Sequence, residues 1–358
     1  MERQVKSSVT TRTLREEEYD VWNKLVTDSP HGSIYSRPEY LDVLCATAGG
    51  TFRILGCYKG DELLGGVALY ERVGRMGKFV SNRLLLYYNG LVLKAHKSSY
   101  PGQRTSRDIE LLSALESGLT QSEYGRILLH NRGTFQDVRV FEARGWSVQL
   151  SYTYVVPIAD MAATIARVDQ NLRRLIKRCE DSGVSLTQDD DFDSFYALHA
   201  DTHSRKGAPL YLPRDAFRRY FERLSSLGLC RLYHARLPGG KSIATQLVLT
   251  CSHPVSHSVC AAADAEYLKV GSTPFLRFKV LQDLSALGYT ANDLTDAALN
   301  PVTKFKSQLG GNLDLTLVIA KTDSFTFRVG ETAQRIADLG KAAVRRVISR
   351  GGQRELDE

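Results

Sequence analysis

The chain has 358 residues, of which 43% are hydrophobic and 24% charged. This is the balance of a globular protein, not a disordered one, and the length suggests two domains. The formal charge of +7 favours polyanionic or phosphate-bearing partners without choosing among them. No apolar run approaches the roughly 18 residues of a membrane span.

Taken in order, the segment to about residue 10 is polar and reads as frayed. Residues 16–27 and 37–48 read as amphipathic helices. Ser36 with Glu39 resembles a capping box, and Pro38 lies in the first turn. Strands are expected over 52–58, 63–70 and 84–93, the last kinked at Asn89-Gly90. A loop follows over 95–105. Then come a helix (107–120), a strand (126–130), a helix (134–144) and a strand (147–157), which close a mixed α/β unit.

The second half repeats the style. A long basic helix over 160–181 stops at Gly183, a C-cap signal. A strand (184–188) and two helices (191–204 and 214–226) lead into an antiparallel meander over 230–236, 242–250 and 255–263. A helix (274–287), a short strand (290–293), a short helix (302–309) and a strand (313–320) follow. Residues 331–349 read as a further helix and the tail from 351 as disordered. The reading is α/β (α+β), as two similar units at 1–157 and 158–325 with a C-terminal helix and tail at 326–358.

The N-terminus has no apolar signal core, so a cytoplasmic protein is expected. Six scattered cysteines form no C-x-x-C pair. They read as buried small hydrophobes of a reducing compartment. No nucleophile elbow, P-loop or dinucleotide fingerprint is present.

Four segments carry candidate chemistry. In 260–276 a strand ends in small residues, and a loop with Lys269, Gly271, Ser272 and Thr273 feeds a helix. Thr273 reads as its N-cap and Pro274 as its first residue, so free N–H groups there suit a phosphate. In 293–311, acids Asp293 and Asp296 precede a short helix with Lys304 and Lys306 about Phe305. The two lysines point about 200° apart on a helix, so only one can face a site. In 199–209, His199 and His203 share a helix face with no third ligand apparent. His203, Arg205 and Lys206 suit an anion or a substrate-positioning loop. In 171–178, Arg173, Arg174, Lys177 and Arg178 form a basic face, either solvated or tracking phosphates. His253 and His257 read as surface residues, and 189–191 as a solvated turn and helix cap; no metal site is expected.

The segments NLRRLIKRCEDSG (171–183), HSRKGAP (203–209), 233–250, AADAEYLKVG (262–271), Asp293-Leu294 and FKSQLGG (305–311) follow one another in the order of a known series. The chain resembles the FemAB-like, or CelD-type, branch of the GNAT acyltransferase superfamily. Trp22, residues 29–35 and Gly65-Gly66 resemble its opening more loosely. The family's D-F-G element is Asp293-Leu294-Thr295 here, and the usual phosphate-loop pattern is degenerate at 269–274.

The resemblance implies two tandem GNAT-like domains, each with a mainly antiparallel sheet flanked by helices. It implies transfer of an acyl or aminoacyl group from acyl-CoA or aminoacyl-tRNA, a co-substrate with no permanently bound cofactor, to an amine-bearing acceptor. Lys306 would stabilise the carbonyl oxygen or the donor. Asp264 and Asp296 are the candidate bases. Lys269, Gly271, Ser272 and Thr273 would approach the donor, and Tyr35, His203, Lys206 and Phe305 the acceptor. tRNA is a possible partner; DNA and a membrane span are not expected. The alternative is a non-catalytic module of the same fold in cell-wall or polysaccharide biosynthesis.

Overall fold

A computed structural model of the protein describes residues 9–324, except 97, 298 and 300, together with residue 327. The helix expected over 331–349 and the tail lie outside these residues.

Each half runs through the same order of elements. Strand β1 (Val9–Thr13) leads to helices α1 (Tyr19–Asp28) and α2 (Pro38–Ala48). Strands β2 (Thr51–Lys59), β3 (Glu62–Gly74), β4 (Gly77–Val80) and β5 (Leu91–Leu93) follow, then α3 (Pro101–Thr120), β6 (Arg126–Asn131), α4 (Arg139–Ala143) and β7 (Ser147–Pro157). Helices α5 (Met161–Arg167) and α6 (Gln170–Asp181) link to the second half. There the order recurs as β8 (Ser185–Gln188), α7 (Phe192–Arg205), α8 (Arg214–Ser226), β9 (Cys230–Arg236), β10 (Ser242–Leu249) and β11 (Val255–Ala263). It ends with α9 (Ser272–Ala286), β12 (Ala291–Asp293), α10 (Pro301–Gln308) and β13 (Asn312–Thr322).

All these strands form one sheet in the order β1-β2-β3-β4-β6-β13-β7-β12-β11-β10-β9-β8, with β5 on β3. The order is a palindrome under the matching of the halves. Its centre is an exchange: β13 pairs antiparallel with β6, while β7 pairs antiparallel with β12 and, over its length, with β13. Each half therefore seats the other's last strand. The exchanged strands bind the halves together.

A hydrophobic core shared between the halves lies under α1, α2, α7 and α8. It contains Trp22, Tyr35 and Tyr40 from the first half and Phe192, Phe217 and Tyr220 from the second. Each fully buried aromatic contributes roughly 1.5–3 kcal/mol by leaving water. Their polar atoms are largely paired, Trp22 Nε1 to Ser36 O (2.8 Å) and Tyr220 Oη to Tyr40 Oη (3.1 Å). Separate cores lie under α3 and under α6 and α9. Among the described residues, no helix is long and apolar enough to cross a membrane.

Several sequence expectations change. Val9–Thr13 is a strand, held along β2 by its β-branched residues. Only Leu91–Leu93 of the run 84–93 is a strand, and Gly77–Val80, which was not expected, is one. Helix 160–181 is two helices, because Asp169 leaves the helical path to cap α6 through Asn171 N (2.8 Å). The helix expected over 134–144 shrinks to α4. Ser36 forms no capping box: it ends a buried 3-10 turn, and Glu39 bonds Asn23 (2.7 Å) instead. Gly271, not Thr273, caps α9, which begins at Ser272.

His253 and His257 are buried, not superficial. His253 Nδ1 accepts from Val255 N (3.1 Å) and Nε2 donates to Ser29 O (3.2 Å), joining the second half to the first. Residues 189–191 do provide a cap, Asp191 for Ser194 N, but they are also tied by ion pairs to Arg236.

Two outcomes follow. Burial pushes His253 and His31 down to about 4. The unfolded chain therefore binds more protons than the native one between the ordinary histidine value and about pH 4, and stability falls as pH drops through that window. Urea midpoints measured from pH 7 to 4.5 should show this fall, and His253→Gln should flatten it. Gly271 has φ +96°, and an added Cβ would lie 2.7 Å from Leu175 O. Gly271→Ala should cost about 2 kcal/mol in urea unfolding, because both the backbone and α6 must yield.

Candidate active site

The site arises where two parallel strands part. β11 and β12 pair for only three residues, Val255 with Ala291, Ser256 with Asn292 and His257 with Asp293. β11 continues along β10 to Ala263. The chain after β12 instead stays with β7, Leu294 N donating to Tyr154 O (2.8 Å), and then turns. Thr295 and Asp296 make this turn with φ of +46° and +61°, the left-handed region that non-glycine residues seldom occupy. A gap opens between 258–261 and 294–296.

Asp293 holds the apex. It is 1% exposed. Its Oδ1 accepts from Thr153 Oγ1 (2.6 Å) and Thr295 N (2.8 Å), and its Oδ2 from Tyr88 Oη (2.8 Å). These donors replace the water lost on burial and fix the turn. Thr295 Oγ1 also donates to Ser258 O across the gap (2.9 Å).

Lys306 enters this gap from α10. Its ammonium donates to the backbone oxygens of Thr295 and Asp296. Those two carbonyls occupy two of its three N–H donors. Burial, then repulsion from Arg277, pushes its pKa down to about 8. Lys304 is exposed, so only one of the two lysines faces the site.

A cavity of about 290 Å³ surrounds Lys306. Asp296, His203 and Lys206 line it together with His199, Tyr211 and Arg277. The first half contributes Tyr87, whose hydroxyl engages the side chains of Thr295 and Tyr211. A neighbouring cavity of about 330 Å³ shares Thr202, Lys206 and Arg277 with it and reaches Thr273 and Phe305. Burial keeps His199 neutral, its pKa down at about 4, with Nε2 unpartnered. His203 Nδ1 faces Pro209 O at 2.8 Å.

Other expected residues stand apart. Asp264 lines neither cavity: it caps a 3-10 turn through Glu266 N (3.1 Å) and pairs with Lys241 (3.0 Å), which holds its carboxyl below its usual value. Tyr35 is fully buried behind the site against His257, with its hydroxyl unpartnered. Lys269 is exposed, and its carbonyl accepts from Arg178, which makes that arginine a strut for the loop. Ser272 is buried with an unpartnered Oγ. Arg173, Arg174 and Lys177 are solvent-facing on α6, opposite its buried Leu172, Ile176 and Cys179. Asp189, Asp191 and His234 bring three ligand atoms within 4.8 Å, but Arg236 already neutralises the carboxylates.

The sequence reading missed Arg277 and Tyr87. Arg277 had a signal, a lone cation inside the apolar run Phe275-Leu276-Arg277-Phe278. Tyr87 had none, because it comes from the other half.

The first half has the corresponding gap, between β5 and β6, but it is filled. Asn89 Nδ2 donates to Leu128 O (2.8 Å), Asn89 Oδ1 accepts from His130 N (2.8 Å), and Asn131 Oδ1 accepts from Leu91 N (2.9 Å). The Asn89-Gly90 kink of the sequence reading is this plug.

Residues 166–307 match the profile of the acetyltransferase (GNAT) domain family. No curated protein sequence matches the chain. Among solved structures, FemX superposes with a TM-score of 0.67 at 12% identity, over 86% of this chain and 96% of that one. A tandem GNAT protein from the clavulanic acid biosynthesis pathway does so with a TM-score of 0.51 at 13% identity, over 88% and 99%. The C-terminal domain of a putative lysylphosphatidylglycerol synthetase from Agrobacterium fabrum gives 0.53 at 11% identity, over 85% and 92%. The structural likeness speaks to the fold and the profile match to the second half. Residues 166–307 thus carry a GNAT acetyltransferase domain, and the ordered motifs from Asn171 to Gly311, which resemble the FemAB-like branch, lie almost wholly within it.

Proposed function

We propose that the chain is an N-acyltransferase that moves an acyl or aminoacyl group from acyl-CoA or aminoacyl-tRNA to an amine. One observation carries this reading: a buried ammonium, Lys306, set in the gap between two parting strands beside a cavity of about 290 Å³. The amine nitrogen attacks the donor's carbonyl carbon, and the C=O π electrons move to oxygen. Lys306 faces that developing charge where water is scarce, the setting in which a fixed cation is most effective. Collapse of the tetrahedral state expels the thiolate of coenzyme A or the ribose oxygen of tRNA. The proton leaves the former amine towards Asp296, the one carboxylate lining the cavity among the described residues. The donor reaches this chamber through the outer cavity, past Thr273 and Lys206.

A screen of acetyl-CoA, longer acyl-CoAs and charged tRNA against a panel of amines tests the reading by product mass; no product with any donor would overturn it. On an active pair, Lys306→Met should lower kcat by about 100-fold or more. Lys306 loses its proton as pH rises through about 8, so the wild-type rate should decline above that pH. In Lys306→Arg any residual rate should lack that decline, since a guanidinium stays charged there.

A further inference from the structure

Arg277 is a cation placed inside an apolar helix face. It lies on α9 among the buried Phe275, Leu276 and Phe278. Its Nε is buried with no partner. The ionisable groups that act on it are Cys260, Tyr87 and, repulsively, Lys306; no carboxylate does so among the described residues. Burial pushes its pKa down to about 10, which still leaves it charged at neutral pH. It also lines both cavities, so it stands where the inner chamber meets the outer one.

Stripping a guanidinium of water is costly unless an anion or several acceptors replace that water. The planar fork matches the two oxygens of a carboxylate in a paired, charge-assisted contact. The neighbouring cavity offers Arg205, Lys206 and Thr273, which suit the phosphates of a donor and leave Arg277 for another anion.

We propose that Arg277 is the receptor for a substrate carboxylate in the inner chamber, carried either by the transferred acyl group or by the acceptor amine. The proposal rests on the acyl-transfer reading for the identity of the reacting groups, but the anion site is testable without turnover.

The experiment follows the Arg277 Nε–H signal in arginine-labelled full-length protein by NMR, assigned by its loss in Arg277→Lys. Three carboxylate probes are paired with neutral twins: succinyl-CoA with butyryl-CoA, glycine with glycinamide, and N-acetylglycine with its methyl amide. At least one carboxylate should shift the signal while its twin does not. A response to succinyl-CoA assigns the anion to the acyl group; a response to glycine or N-acetylglycine assigns it to the acceptor side. By calorimetry, Arg277→Met and Arg277→Lys should each weaken that carboxylate by about tenfold or more, leaving the twin unchanged. Arg277→Lys keeps the charge and stem, so it stands in if Arg277→Met does not fold. A signal unmoved by every carboxylate, or moved equally by the twins, overturns the proposal. Failure of the acyl-transfer reading shows separately, as absence of product while the Arg277 signal still responds.

Discussion

A single buried carboxylate governs the geometry of the site. Asp293 takes donors from Tyr88 of the first half, from Thr153 on β7 and from the backbone of Thr295. Without these donors, the oxygens of a side chain with 1% exposure would lose water and gain nothing in return. With them, it ends the pairing of β11 and β12 and holds the next two residues in left-handed conformations. That turn aims two carbonyls at Lys306, and the ammonium is thereby fixed in the gap. The strained backbone is thus tied directly to the placement of the candidate catalytic cation.

The exchange of last strands explains why this arrangement needs the whole chain. β7 belongs in sequence to the first half, yet it supplies both Thr153 and the carbonyl of Tyr154 that guides the chain after β12. Tyr87 and Tyr88 reach the site from a loop of the first half. A chain cut at residue 157 would leave the second half without these groups. The duplication is also asymmetric in use. Asn89 and Asn131 fill the first gap with hydrogen bonds, so one repeat offers a cavity and the other a buttress.

The electrostatics of the chamber are one-sided. Lys306, Arg277 and Lys206 line it together with a single acid, Asp296, among the described residues. The neighbouring histidine His199 is held neutral by burial and adds no charge. Such a chamber favours ligands that bring negative charge or develop it during reaction.

Local signals determined much of this in the sequence. The meander of β9, β10 and β11 was legible because three strand-like runs are bounded by Pro-Gly-Gly and Ser-His-Pro turns. Lys306 was separable from Lys304 because helical spacing sends them in different directions. The ordered motifs from Asn171 to Gly311 pointed to the GNAT domain whose profile residues 166–307 match. Tertiary structure alone decided what depends on contacts between distant residues. It seated β13 between β6 and β7, buried His253 and His257 and sent Tyr35 behind the site. Asp264 became a loop cap there, while Tyr87 and Arg277 came together. Periodicity reports which face of an element is apolar, but not which other element covers it. For a polar side chain inside such a face, only the fold shows whether a partner awaits it.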